Sequence, residues 1–186
     1  SGKLNLDASS GNTERSGAAL LEVGTDRFAL HADVFRRSSG NVAVPIALTC
    51  AKEGSPPVAN ALCNSAASSS GGAVGGAVFL GHSRLGASAS SYRSDYGTVA
   101  EDGVTIGMRS DRTALEWDVD HLGGWIHSVK FQAGHSEYQH TEYEDGAPGT
   151  VFRNSGNDVR LLARHAPVGN WLGVVGLQGE STRFSA

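Results

Sequence analysis

The chain has 186 residues, a net charge of −4, 18% charged residues and 25 glycines. That length suits one domain, the charge leaves no basic footprint for nucleic acid, and the composition is neither disordered nor collagen-like. No apolar run of about 18 residues occurs, so no transmembrane helix is predicted. No secretory leader is visible. A start at Ser1 without Met and a stop at Ala186 inside a strand-like pattern lead us to expect a piece of a longer protein.

Helical periodicity is nearly absent, and apolar–polar alternation is nearly everywhere. Residues 3–9 place Leu4, Leu6 and Ala8 on one face. After a less regular strand over 18–24, Phe28, Leu30, Ala32 and Val34 share a face, with His31 and Asp33 on the other. Further strands are predicted over 74–82 and 84–93. Thr113, Leu115, Trp117 and Val119 then alternate with Arg112, Ala114, Glu116 and Asp118. Trp125, Val129, Phe131 and Ala133 alternate with Ser128, Lys130 and Gln132, and Val159, Leu161 and Ala163 with Asp158, Arg160, Leu162 and Arg164. A last strand is predicted within 171–184. The total is about nine strands, each long enough to cross a hydrocarbon layer at a tilt.

The connections alternate between a short set (24–26, 81–83, 121–124 and 167–170) and a longer, more polar set (10–16, 37–72, 96–103 and 144–149). Outer-membrane barrels have that asymmetry, with tight turns at one rim and long loops at the other. Phe28, Trp117, Trp125 and Trp171 sit near the short turns, and Tyr92, Tyr96, Tyr138 and Tyr143 near the long loops, as two interfacial girdles would require. The predicted fold class is therefore all-β: an antiparallel up-and-down meander forming part of a transmembrane β-barrel. A soluble β-sandwich also alternates. It is disfavoured by mid-strand charges at Asp33, Glu116, Arg160 and Arg164, and by an apolar face without the dense Ile, Val and Phe of a shared core. Cys50 and Cys63 lie in the least regular segment, where a pair reads as a loop-closing disulfide in an oxidising compartment; two unpaired small residues are the alternative.

Three segments taken together carry a family resemblance. They are Tyr96-Gly-Thr-Val-Ala-Glu-Asp-Gly-Val104 followed by Ile106, Met108 and Arg112; Tyr138-Gln-His-Thr-Glu142 with Gly149-Thr-Val-Phe152 and Asn154; and Gly173-Val-Val-Gly-Leu-Gln178 with Arg183-Phe-Ser-Ala186. In order and spacing the chain resembles the barrel domain of TonB-dependent outer-membrane receptors, in the branch of the zinc-uptake receptors. Phe28-Ala-Leu-His-Ala-Asp33 and Leu62-Cys-Asn-Ser65 fit that branch too. Gly107 and Ser110 depart from it, standing where an acidic residue and a Gln are usual. The resemblance implies a barrel of about 22 strands around an N-terminal plug, of which this chain would supply the wall just after the plug. It also implies an outer-membrane location and energised uptake of a scarce ligand such as a metal ion or its chelate. The implied partners are outer-membrane lipid, the small ligand and, through the plug, the TonB complex. No cofactor is expected; zinc or another metal ion would be cargo.

The stretch Tyr138-Gln-His-Thr-Glu-Tyr-Glu-Asp-Gly146 gathers a His, three acidic residues and two tyrosines. Tyr138, His140 and Glu142 share the lumenal phase of Lys130 and Gln132, and Tyr143 takes the outer one. One reading is a polar strand end tied by Arg153 or Arg164 to Glu142 or Glu144. The other is metal contact, since His140 and Glu142 offer the imidazole nitrogen and carboxylate oxygen that zinc accepts. His135 lies on the opposite face, and His165 belongs to the short-turn rim. His31 and Asp33 read as a satisfied wall pair. No GxSxG elbow and no triad spacing occur, and the glycines of 71–76 open no helix and cradle no phosphate. No catalytic residue is assigned, and an enzyme is not expected. A passive porin-like small barrel and a soluble β-sandwich binding module are the alternative functions.

Overall fold

The computed structural model describes residues 1–50 and 60–186. The alternating segments pair in sequence order into one antiparallel nine-stranded meander, and no helix occurs among the described residues. The strands are β1 (Gly2–Ser9), β2 (Glu14–Gly24), β3 (Phe28–Ser39), β4 (Ala67–Leu80), β5 (Ser83–Thr98), β6 (Glu101–Val119), β7 (Ile126–Glu144), β8 (Ala147–His165) and β9 (Val174–Ser185). The sheet is open, with β1 and β9 as its two edges. One open cavity of about 910 Å³ touches residues of every strand from β2 to β9, so the sheet curls around it.

The register shows why these sequences form these strands. One row across the sheet reads Phe28, Val78, Leu85, Trp117, Phe131, Leu161 and Leu177. Its neighbour on the opposite face contains Arg84, Asp118 and Lys130. Because side chains alternate with period 2, this register gathers the apolar phases of the lower half of the strands onto the outer face and their charged phases onto the concave one.

Almost nothing is buried. Among the described residues only Cys63, Ser94, Thr141 and Gly156 are buried, while Leu6, Leu21, Leu30, Val34, Leu177 and their neighbours on the outer face stay exposed. A chain of this length that folds in water buries roughly two-thirds of its unfolded surface. Among the described residues, no second layer packs against the apolar outer face.

Two expectations are corrected here. The connections at 96–103 and 144–149 are not long loops: β5 runs into β6 through residues 99–100, and β7 into β8 through 145–146. Asp145 and Gly146 both have positive φ, 50° and 82°, the geometry of a two-residue hairpin that an Asp-Gly pair adopts readily. Their flanking polar residues read as loop but continue the ladder, giving strands of 16, 19, 19 and 19 residues for β5 to β8. Of the connections at this upper rim only 40–66 is long, and its residues 51–59 lie outside the described residues. The other rim carries gaps of similar length, 25–27, 81–82, 120–125 and 166–173. Second, the four tyrosines do not form an outward girdle. Tyr92, Tyr96 and Tyr138 lie on the concave phase, and only Tyr143 lies on the outer one, because Tyr92, Ser110 and Tyr138 share one register row.

Candidate functional site

The upper half of the concave face is aromatic. Phe35, Gly71, Tyr92, Ser110, Tyr138, Asn154 and Phe184 occupy one row of the register, large and small alternating. The Phe35 and Tyr92 rings are 6.1 Å apart across β4. Only glycine leaves room for that approach, because a Cβ on Gly71 would lie 2.8 Å from Cε1 of Phe35. The row above holds Met108, His140 and Phe152.

His140 sits inside this aromatic group. Its Nδ1 is 3.0 Å from the Tyr138 hydroxyl, and its ring is 4.5 Å from that of Phe152, which stacks on Phe184 at 6.2 Å. Glu142 pairs with Ile106 on the same face, just where the β7–β8 register shifts between Thr141 and Tyr143. His140 and Glu142 are thus two residues apart on one side of one strand. Among the described residues, the three-member set whose ligand atoms already converge is Cys50, Cys63 and Asp102. Two of those sulfurs are joined as the Cys50–Cys63 disulfide, with Cα atoms 5.7 Å apart, so that set offers no thiolate to a metal. The proposed cross-strand pairing through arginine is different in the structure. Arg153 donates to Oε1 of Gln139 at 3.1 Å on the outer face, and Arg164 is aligned with Ser128 at the far end of β7.

The lower half of the concave face is an ionic floor. Arg84 pairs with Glu116 and lies 3.1 Å from Asp118; Lys130 lies 3.1 Å from Glu116 and 3.4 Å from Asp118; Gln132 donates to Glu116 at 2.6 Å. Arg112 meets Asp158 at 3.0 Å. His31 lies 2.8 Å from Asp33 and 3.5 Å from Glu22, a wall pair extended by one carboxylate. The Arg84, Glu116, Asp118 and Lys130 charges alternate in sign across β5, β6 and β7, so each has an opposite charge beside it.

The upper rim is tied down by the loop between β3 and β4. Asn64 sends its side-chain amide to the carbonyls of Thr98, Glu101 and Val104, at 3.0, 2.9 and 2.6 Å, next to the half-cystine at 63. At the loop end of β2, above the apolar stretch, Arg37 lies 2.7 Å from Glu14. The hydrogen bond from Arg37, then one from Asn12, holds the Glu14 carboxyl below the usual carboxylate range.

Sequence reasoning missed the floor and the Asn64 clamp. The floor's residues were visible as mid-strand charges, but their partnership needs the register of β5, β6 and β7 together. Asn64 stands in the Leu62-Cys-Asn-Ser65 segment, but nothing local foretells its clamp, which is set at a φ of 52° that Asn tolerates. No protein-family model matches this chain, and no curated protein matches it.

Proposed function

We propose that this chain is part of the barrel wall of a TonB-dependent outer-membrane receptor, serving uptake of a scarce ligand such as a metal ion or its chelate. The observation that carries the reading is the unpartnered apolar outer face of a sheet with almost no buried residue. Lipid is the solvent in which such a face is at its lowest free energy, and a charged lumenal face is its counterpart in barrels. The two open edges support an incomplete barrel over a complete small porin, since lipid tolerates no unpaired strand edge. The single sheet lacks the second layer that a sandwich module needs.

In this reading the chain carries no catalysis. The ligand enters at the upper rim, passes the aromatic rows and crosses the ionic floor while the TonB complex acts on the plug. His140 and Glu142 stand at the entrance, where they would contact a metal ion in transit. The test uses an antibody against the 40–66 connection on membrane and soluble fractions of the source cells. The expected result is a band several-fold larger than 19.3 kDa, confined to the outer membrane and shifted in mobility by boiling. A band of the chain's own size in the soluble fraction overturns the proposal.

A further inference from the structure

Seven histidines occur in the chain. Four of them, His31, His135, His140 and His165, hydrogen-bond to a carboxylate, an amide, a phenol and a carbonyl. The other three form a chain of ring contacts, His82 to His121 to His127. The rings of His82 and His121 are 4.6 Å apart between centroids, and those of His121 and His127 are 5.5 Å apart. They come from two different hairpins at the lower rim: His82 from the β4–β5 turn, His121 from the β6–β7 turn, and His127 from the start of β7.

The backbone fixes this meeting. The Asp120 amide donates to the His82 carbonyl at 2.9 Å, and the Leu122 amide donates to the His127 carbonyl at 3.0 Å. His121 lies between those two bonds with φ at +57°, a conformation that costs most residues about a kcal/mol or more. Asp120 brings a carboxylate to the same turn, and both it and Asp118 border the open cavity beside His82 and His121. The same rim therefore offers three imidazoles and a carboxylate.

We propose that His82, His121 and His127 form a site for a late divalent transition-metal ion of the zinc class, with Asp120 as the oxygen donor. Two imidazoles on one tetrahedral ion, each nitrogen about 2.0–2.1 Å from the metal, place their ring centroids on the order of 5 Å apart. The two measured ring spacings lie on either side of that value. The nitrogens do not yet converge, so binding turns the exposed rings of His82 and His121 about their side-chain torsions while the hydrogen-bonded backbone stays in place. Imidazole ligands select zinc, nickel or copper over magnesium or calcium. The site lies at the rim opposite His140 and Glu142, and it needs nothing from the receptor reading. Its consequence is mechanical: one ion would cross-link two neighbouring hairpins.

The test is equilibrium binding of Zn²⁺ to the full chain purified in detergent, beside His121→Asn, His82→Gln and His140→Ala. Asn tolerates the left-handed turn, so His121→Asn removes the imidazole and keeps the backbone. The expected result is at least a tenfold loss of Zn²⁺ affinity in His121→Asn and in His82→Gln, with His140→Ala retaining the rim ion. Zn²⁺ should also protect His82 and His121 from carbethoxylation in the parent chain, a readout that needs no variant. Unchanged affinity in both rim variants, no protection, or loss of the bound ion through His140→Ala alone overturns the proposal.

Discussion

The lower and upper halves of the same strands are built to opposite rules. Below, the outer face is Leu85, Leu115, Trp117, Phe131 and Leu161, and the concave face is Arg84, Glu116, Asp118 and Lys130. Above, the outer face is Arg93, Arg109, Gln139 and Arg153, and the concave face is Tyr92, Tyr138, His140 and Phe152. No register shift falls between these two sets of rows, so the strand's own period did not change. On the proposed reading, it is the medium against the outer face that changes. The boundary is also oblique: one register row begins with Leu4, Ala19 and Val34 and runs on through Ser91, Asp111 and Glu137 to Ser155 and Arg183. A plane that cuts tilted strands crosses register rows in this way.

The strongest way to break this comparison is to place the same charge on both halves of the outer face. Leu115→Arg is expected to cost about 2–4 kcal/mol on insertion, the cost of an arginine near the midplane of a barrel's lipid face. Gln139→Arg, in the upper half, is expected to cost less than that, through the lost Arg153 hydrogen bond and the like-charged neighbours Arg109 and Arg153. Urea titration of the chain folded into vesicles separates them, and equal midpoints would remove the membrane boundary. A smaller effect sharpens the upper half. Phe152→Ala removes the ring between His140 and Phe184, and is expected to cost about 1 kcal/mol, the scale of one aromatic pair. The same titration reads it, and an unchanged midpoint would show that the aromatic rows add no stability.

The smallest effect concerns the rim pair of Glu14 and Arg37. A carboxyl whose value is lowered by folding stabilises the fold fully above its ordinary value near 4.5, and loses that contribution as pH falls through the lowered value. Arg37→Ala should therefore differ most from the parent at neutral pH and converge with it in acid, and added salt should shrink the difference. A gap that widens in acid would show that Arg37 acts otherwise.

The strands and their phases were legible because alternation needs no partner to be seen. Leu115 and Trp117 announce an apolar phase whatever they face. The upper turns were not legible, because Gly97, Gly103 and Gly149 look like loop residues until the neighbouring strands supply a ladder for them. The tyrosine positions misled for a related reason: nearness to a rim says nothing about face unless the phase is followed through each strand. The ionic floor and the histidine group lie beyond sequence reading altogether. His82 and His121 come from different hairpins, and only the registers of β4 to β7 bring them side by side.

The sharp change along the outer face also has a bearing on accuracy of assembly. A slip of one residue turns a strand inside out and is costly anywhere. A slip of two residues keeps every side chain on its proper face, and in water it would pass almost unnoticed. Here it would draw Asp111 or Glu137 down to the level of Thr113 or His135, and a second such slip would carry charge in among the leucines. If the lower half lies in lipid, the bilayer itself proofreads the register, rejecting the errors that alternation alone cannot detect.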